Sequence, residues 1–67
     1  MNEAERLGKN LKHIRTEKGI SQGEIGRILK VDKGFISNIE AGKTNPTLAT
    51  IAKIAKAIGV SVGELMK

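Results

Sequence analysis

The sequence predicts an all-α domain. Apolar residues recur every three or four positions along most of the 67-residue chain, which is the spacing of one buried face of an α-helix. Helix-starting Ser, Thr and Asp and helix-ending Gly separate these segments, and none shows the alternation of a half-buried β-strand. These observations predict one domain, residues 1–67, with five helices near residues 3–18, 22–29, 33–41, 48–58 and 62–66.

Composition limits the chemistry of this domain. It has no cysteine, which excludes disulfides and thiolate metal sites, and we expect no cofactor. Twelve Lys and Arg exceed seven Asp and Glu, and the net charge of +5 favours a polyanion as partner. A charged amino terminus, with no apolar run near ~18 residues, predicts a cytoplasmic protein without a signal peptide or a membrane span.

Two stretches resemble each other, GISQGEI at residues 19–25 and GVSVGEL at residues 59–65. Each contains a glycine suited to ending a helix, an apolar residue that folds back on the last turn, and Ser and Glu spaced as a capping box. A repeat of about forty residues does not fit twice into this chain, and repeat architectures need at least about three copies. We therefore interpret both stretches as junctions that end one helix and begin the next.

Each of the first four helices has an apolar side that should face the core. Pro46 interrupts the chain before the fourth helix, and Thr47 is the expected N-cap of that helix. The apolar sides comprise Ala4, Leu7, Leu11 and Ile14 in the first helix, Ile25, Ile28 and Leu29 in the second, Phe35, Ile36 and Ile39 in the third, and Leu48, Ile51, Ile54, Ala55 and Ile58 in the fourth.

Only Lys30, Val31 and Asp32 separate the second helix from the third. So short a connection does not let two helices lie side by side, and we expect them to cross steeply, as in a helix-turn-helix. Asp32 is the expected N-cap of the third helix.

Four glycines lie inside the second, third and fifth predicted helices. Gly23, Gly34 and Gly63 would each be the second residue of a helix, where fewer backbone hydrogen bonds depend on them. Gly26 is then interior, where glycine costs about 1 kcal/mol relative to alanine. We attribute Gly26 to a close approach of the two crossed helices.

The run SQGEIGRILKVDKGFISNIEAGKTNP resembles the helix-turn-helix of the Cro and phage-repressor type, also called Xre-like, and the resemblance extends over nearly the whole chain. Lys30 stands where that family usually has a turn glycine, which places a non-glycine residue where a positive φ is expected. The resemblance also implies a partly buried ion pair between Arg15 and Glu40. The positions that carry the family resemblance are Ile25, Gly26, Leu29, Val31, Ile36, Ile39, Glu40 and Gly42.

In this motif the third helix enters the major groove of DNA and the second crosses the phosphate backbone. Residues facing away from Ile36 and Ile39 are therefore the expected base readers, namely Lys33, Gly34, Ser37 and Asn38, with Phe35 at the margin. Phe35 has two open interpretations, a core residue or a partly exposed aromatic against the backbone or a thymine methyl. The expected contacts with the DNA phosphate backbone are the first amides of the second helix at Gln22 and Gly23, and the residues Lys43 and Thr44 after the third helix. The cations Arg27 and Lys30 are expected to contact it as well. Lys9 and Lys12 would add long-range attraction.

The sequence thus predicts a sequence-specific, double-stranded DNA-binding regulator, such as a repressor, acting as a dimer on a palindromic operator. The expected dimer surface is the C-terminal region, where Val60, Val62, Leu65 and Met66 are apolar, although these residues could instead close the core. A protein-interaction module or an antitoxin component with the same fold is the alternative, and RNA binding is less favoured because the chain has no aromatic platform. We expect no enzymatic activity, because His13 has no partner cluster and Ser21 and Ser61 lack a neighbouring base.

Overall fold

Five α-helices form in residues 2–67, which are the residues that the structure, a computed structural model, describes. No strand occurs among these residues, so the predicted all-α class is confirmed. The same part of the chain holds no helix of the length and hydropathy that crossing a membrane requires. The helices are α1 (Glu3–Glu17), α2 (Gln22–Leu29), α3 (Lys33–Glu40), α4 (Leu48–Ile58) and α5 (Val62–Met66).

The helices surround one aliphatic core. Helix α1 packs against α3 and α5, α2 packs against α3 and α4, and α4 packs against α5, so α3 lies against both α1 and α2. No polar or charged residue of the described chain is fully buried. The core consists of Leu7, Leu11, Ile25, Ile36, Ile39, Ile51, Ile54, Ala55, Ile58 and Leu65.

The two similar seven-residue stretches both form the predicted helix junctions. Gly19 and Gly59 have φ of 69° and 75°, the left-handed conformation that glycine adopts without strain. After the first glycine, the N–H of Ile20 donates to a carbonyl of the preceding helix at 3.0 Å, and the N–H of Val60 does the same after the second. Ser21 then begins α2 and Ser61 begins α5, each with its complete capping box. The similar residues of the two stretches therefore produce similar local backbone conformations, and no structural repeat is involved.

The N-caps of α1 and α3 were not fully anticipated from the sequence. Asn2 caps α1 through a capping box with Glu5, a Glu three residues after an Asn that the sequence already contains. Asp32 occupies the N-cap position of α3 with extended backbone, but its side chain makes no capping hydrogen bond, so that prediction was wrong in its chemistry. Helix α3 therefore begins without a side-chain cap.

Ile28 and Leu48 are corrections to the predicted apolar faces, because 60% and 70% of their surfaces are exposed. At about 100° per residue, Ile28 lies about 60° around α2 from the buried Ile25 and about 100° from Leu29, so it is at the edge of the apolar side rather than within it. Leu48 is the first residue of α4 and lies one turn before Ile51, where the core begins. Neither side chain contributes to the core.

Leu65 is a correction to the predicted dimer surface. Its side chain is fully buried in the core, which is the alternative that the sequence left open. Asn10 of α1 donates from its side-chain amide to the carbonyl of Leu65 at 2.8 Å, and this hydrogen bond holds α5 against α1. Val62 and Met66 remain half-buried beside the core.

Two interior glycines, rather than one, allow backbones to approach closely. At Gly26 an added Cβ would lie 2.9 Å from the carbonyl oxygen of Val31, so the turn after α2 folds back across this residue. Gly8, which the sequence reading overlooked, is buried in α1. There a Cβ would lie 2.6 Å from the carbonyl oxygen of Glu40 and closer still to that of Ile39. Backbone contact between α1 and the end of α3 therefore requires glycine at this position.

The turn between α2 and α3 contains the expected strained residue. Lys30 has φ of 60°, and no other non-glycine residue among those described has a positive φ. The N–H of Val31 closes the turn by donating to the carbonyl of Gly26 at 2.9 Å. Left-handed backbone at a non-glycine residue costs roughly 1–2 kcal/mol, which the packing around the turn must outweigh.

Arg15 and Glu40 form the ion pair that the resemblance implied. The guanidinium of Arg15 donates from Nε to Glu40 Oε2 at 2.6 Å and from Nη2 to Oε1 at 3.1 Å, and its Nη1 donates to the carbonyl of Ile20. Gln22 Nε2 adds a fourth hydrogen bond, to Glu40 Oε1 at 2.9 Å. The side chains of Arg15 and Glu40 are only 14% and 4% exposed. Chiefly because of the hydrogen bond to Glu40, the pKa of Arg15 is raised above its ordinary value.

We predict that Gly8→Ala destabilises the protein by about 2 kcal/mol, because the new methyl group clashes with backbone that cannot move without separating α1 from α3. Alanine is otherwise the better helix former. Gly63→Ala is the matched control, since its Cβ would meet only Ser61 Oγ at 3.7 Å. Urea unfolding of both variants measures the difference, and a Gly8→Ala variant as stable as Gly63→Ala contradicts the close approach.

We predict that Arg15→Ala lowers the free energy of unfolding by about 3 kcal/mol, because the Glu40 carboxylate is then buried without its counter-charge. Lys12→Ala, an exposed cation on the same helix, should change it by no more than about 0.5 kcal/mol. Thermal and urea unfolding provide the comparison. Adding Glu40→Gln to Arg15→Ala should recover part of the lost stability. Equal stabilities of Arg15→Ala and Lys12→Ala would contradict a stabilising role of the ion pair.

Candidate nucleic-acid interface

The outward side of α3 carries the four residues predicted to read bases. Ile36 and Ile39 are fully buried, and they anchor the opposite side of the helix in the core. At about 100° per residue, the outward residues occupy a continuous arc of roughly 140° on the helix. All four are exposed, namely Lys33, Gly34, Ser37 and Asn38.

The polar side chains on this arc are free to bind a partner. Within residues 2–67, the side chains of Lys33, Ser37 and Asn38 form no hydrogen bond and no ion pair. Their donors and acceptors are therefore not compensated inside the protein. An ammonium group, a hydroxyl and a carboxamide on one helix side match the hydrogen-bonding edges of bases in a major groove.

Phe35 lies at the edge of the same arc. It is half-buried and packs against the core, and the contact with a DNA backbone or a thymine methyl stays a prediction. Its buried part stabilises α3, and its exposed part lies beside the outward arc.

The end of α3 directs the chain into the loop that was expected to follow a phosphate backbone. Gly42 has φ of 74°, and the N–H of Lys43 donates to the carbonyl of Asn38 at 3.0 Å, which closes the helix end. Gly42 also packs closely against α1, because an added Cβ would lie 3.2 Å from the Cα of Glu5. Directly after α3 and its outward arc, Lys43 is exposed and Thr44 is half-buried.

The start of α2 presents two free backbone amides. The capping box occupies the N–H groups of Ser21 and Glu24, while those of Gln22 and Gly23 make no hydrogen bond in the described chain. Free amides at a helix N-terminus favour an anion. Arg27 reaches back to this helix start, since its Nη1 lies 3.7 Å from where a Cβ of Gly23 would be.

Of the outward arc of α3, Lys33 meets the start of α2 in one open concavity, lined by Arg15, Ser21, Gln22, Gly23 and Lys33. The Gln22 side chain, however, is directed to Glu40 rather than outward. Its backbone amide, and not its carboxamide, is the group left for a phosphate. No local signal in the sequence distinguishes these two uses of Gln22, because its partner is 18 residues away.

Lys30 is separated from this concavity. It lies at the other end of α2, in a groove that also includes Lys53 and Lys56 of α4. Lys9 and Lys12 are exposed on α1. The expected backbone contacts are therefore brought together at Gln22, Gly23 and Arg27, and the remaining cations are distributed around the molecule.

His13 is an exposed surface residue, as expected, and its Nε2 lies 3.5 Å from Glu17 of the next helical turn. No group of three or more potential metal ligands occurs in the part of the chain that the structure describes. These residues add no chemistry to the interface.

Comparisons with known proteins agree with this geometry. A helix-turn-helix family model matches residues 11–65. The uncharacterized HTH-type transcriptional regulator y4dJ of Sinorhizobium fredii is 37% identical over 60 residues, which are 90% of this chain and 78% of that protein.

Two solved structures share the fold. The restriction-modification controller protein C.AhdI of Aeromonas hydrophila superposes with a TM-score of 0.87 at 31% identity, over 92% of this chain and 94% of that one. The controller C.Esp1396I, solved as a tetramer with its natural 35-base-pair operator, superposes with a TM-score of 0.82 at 27% identity, over 100% of this chain and 99% of that one. The resemblance found in the sequence is thus confirmed, and the chain belongs to the helix-turn-helix family of the Cro and phage-repressor type.

Proposed function

We propose that this protein is a sequence-specific, double-stranded DNA-binding transcriptional regulator that acts in the cytoplasm by occupying its operator, with no enzymatic step. The observation that carries this proposal is the outward arc of α3, whose polar side chains have no partner in the described chain and which lies beside the free amides of α2. This is the arrangement with which a helix-turn-helix reads a major groove.

The residues of the arc have distinct parts in base recognition. Lys33 donates to O6 and N7 of guanine, Asn38 pairs with N6 and N7 of adenine, and Ser37 hydrogen-bonds either base. Gly34 lacks a side chain, which lets the backbone of α3 approach the duplex closely. Phe35 contributes its exposed edge to the sugar-phosphate backbone or to a thymine methyl.

The phosphate contacts hold α3 in register. The amides of Gln22 and Gly23 donate to one phosphate at the start of α2, with Arg27 beside them, and Lys43 and Thr44 contact another after α3. Lys30 adds positive charge at the far end of α2. Such contacts are independent of sequence, so they position the reading helix without selecting the bases.

A dimer supplies the remaining specificity, because one reading helix contacts too few bases. Two-fold symmetry would place two α3 helices about 34 Å apart on a palindromic operator. The homologous controller C.Esp1396I was solved as a tetramer on its operator. In this chain Val60, Val62 and Met66 are half-buried apolar residues of the C-terminal region, since Leu65 is buried, and we assign the contact to Val62 and Met66 of α5.

We predict that Asn38→Ala lowers discrimination between operator and non-operator DNA by roughly tenfold, with little loss of non-specific binding, because it removes one bidentate base contact. Lys43→Ala should weaken both kinds of binding alike, because phosphates occur in every sequence. Selection of duplexes from a random pool defines the operator, and binding titrations on selected and scrambled duplexes provide the measurement.

Salt dependence separates this function from that of a protein-interaction module. DNA affinity should fall steeply with salt, since each neutralised phosphate releases a counterion, and Lys43→Ala should reduce the slope by about one. A pool that yields no enriched duplex contradicts the proposed function. Identical selected sequences and ratios for wild type and Asn38→Ala contradict the base-reading assignment.

We predict that the wild-type protein sediments at about twice 7.2 kDa at micromolar concentration and that Val62→Glu/Met66→Glu sediments as a monomer, because buried charge opposes the apolar contact. Leu48→Glu is the control, since Leu48 is exposed on α4. A persistent 7.2 kDa species for wild type, or dissociation by Leu48→Glu instead, would contradict a dimer through α5.

A further inference from the structure

A groove between α2 and α4 shares only Lys30 with the DNA-binding surface described above. It has a volume of about 510 Å³ and is open to solvent. Apolar and cationic residues line it together, namely Ile28, Leu29, Lys30, Lys53, Lys56 and Ala57.

Ile28 is the apolar centre of this groove. It is 60% exposed, although it follows the fully buried Ile25 by less than one helical turn. Leu29 beside it packs against the core, and Ala57 provides a small, half-buried surface on α4. The fold gains nothing by exposing an isoleucine here, so the apolar floor is available to a partner.

The rim of the groove is cationic and lacks acidic residues. Lys53 and Lys56 are one turn apart on α4, and Lys30 faces them from the end of α2. None of the three lysines forms an ion pair within residues 2–67. Between Glu40 and Glu64 the sequence contains three lysines and no acidic residue, so no carboxylate nearby in the chain neutralises Lys53 and Lys56.

We propose that this groove docks an acidic amphipathic helix of another protein. Its apolar side would cover Ile28 and Ala57, and its carboxylates would meet the lysines of the rim. Helix-in-groove recognition combines these two contacts, an apolar stripe and a complementary charged border. No residue of α3 lines the groove, so the partner and the base-reading arc do not compete for the same surface.

The charges argue against two other occupants. A second copy in a two-fold arrangement would oppose the lysines of one groove with those of the other, which is unfavourable. A head-to-tail contact with the second copy would not close into a dimer. Duplex DNA would satisfy the lysines but would leave the apolar floor without a contact, since phosphate does not cover an isoleucine side chain.

A designed peptide tests the proposal. The probe is a fluorescent 16-residue alanine-based helical peptide with leucines at i, i+3, i+4 and i+7 and glutamates only at the positions that flank this stripe, and the control peptide has lysines in place of the glutamates. In titrations followed by NMR, the acidic peptide should shift the amide signals of Ile28, Leu29 and Ala57, while the basic peptide should not bind. Lys53→Glu/Lys56→Glu should weaken binding about tenfold, and Ile28→Ser about fivefold.

Matched controls make the result decisive. Leu48→Ser removes the other large exposed apolar residue and should leave peptide affinity unchanged. Ile28→Ser should leave operator affinity unchanged, which keeps this test independent of the proposed function. Absence of saturable binding, shifts centred outside the groove, equal binding of both peptides, or self-association that Ile28→Ser abolishes would each overturn the proposal.

Discussion

The arrangement of the helices depends on the hydrogen bonds and the ion pair that the Glu40 carboxylate forms. Glu40 ends α3, receives the guanidinium of Arg15 from α1, and accepts the carboxamide of Gln22 from the first residue of α2. Because the carboxylate is nearly excluded from water, its charge requires these donors, and they are present only when three helices meet. This group therefore links the orientation of α3 to both of the helices that support it, and the apolar core supplies most of the free energy.

Backbone contact at both ends of α3 completes this constraint. At its start, the turn lies across Gly26, and at its end the carbonyl oxygens approach Gly8. Gly42 packs against α1 directly after the helix. Because α3 is held by its ends and by its buried side, its outward residues do not need to stabilise the fold. That is the physical reason that the side chains of Lys33, Ser37 and Asn38 have no partner among residues 2–67, and preorganised free groups are what recognition of bases requires.

Two surfaces of different chemistry lie at the two ends of α2. The outward arc of α3 and the free amides of α2 are neighbouring polar surfaces, which suit a hydrated, charged duplex. The groove between α2 and α4 has an apolar floor with a cationic rim, which suits a protein segment. Helix α2 contributes its start to the first surface and its end to the second. A ligand at one surface therefore leaves the other accessible, and a small domain can carry two contacts without a second fold.

The sequence alone determined the parts of this protein that depend on local interactions. Helix bounds, the paired junctions at Gly19 and Gly59 and the outward side of α3 follow from residues within one or two turns of each other, so their pattern is readable. The strained backbone at Lys30 and the ion pair of Arg15 with Glu40 were expected only through the family resemblance. The tertiary structure decided the need for glycine at Gly8, the partner of Gln22, and the exposure of Ile28 and Leu48. Each of these depends on which distant backbone or side chain covers the position, and helical periodicity carries no information about that neighbour.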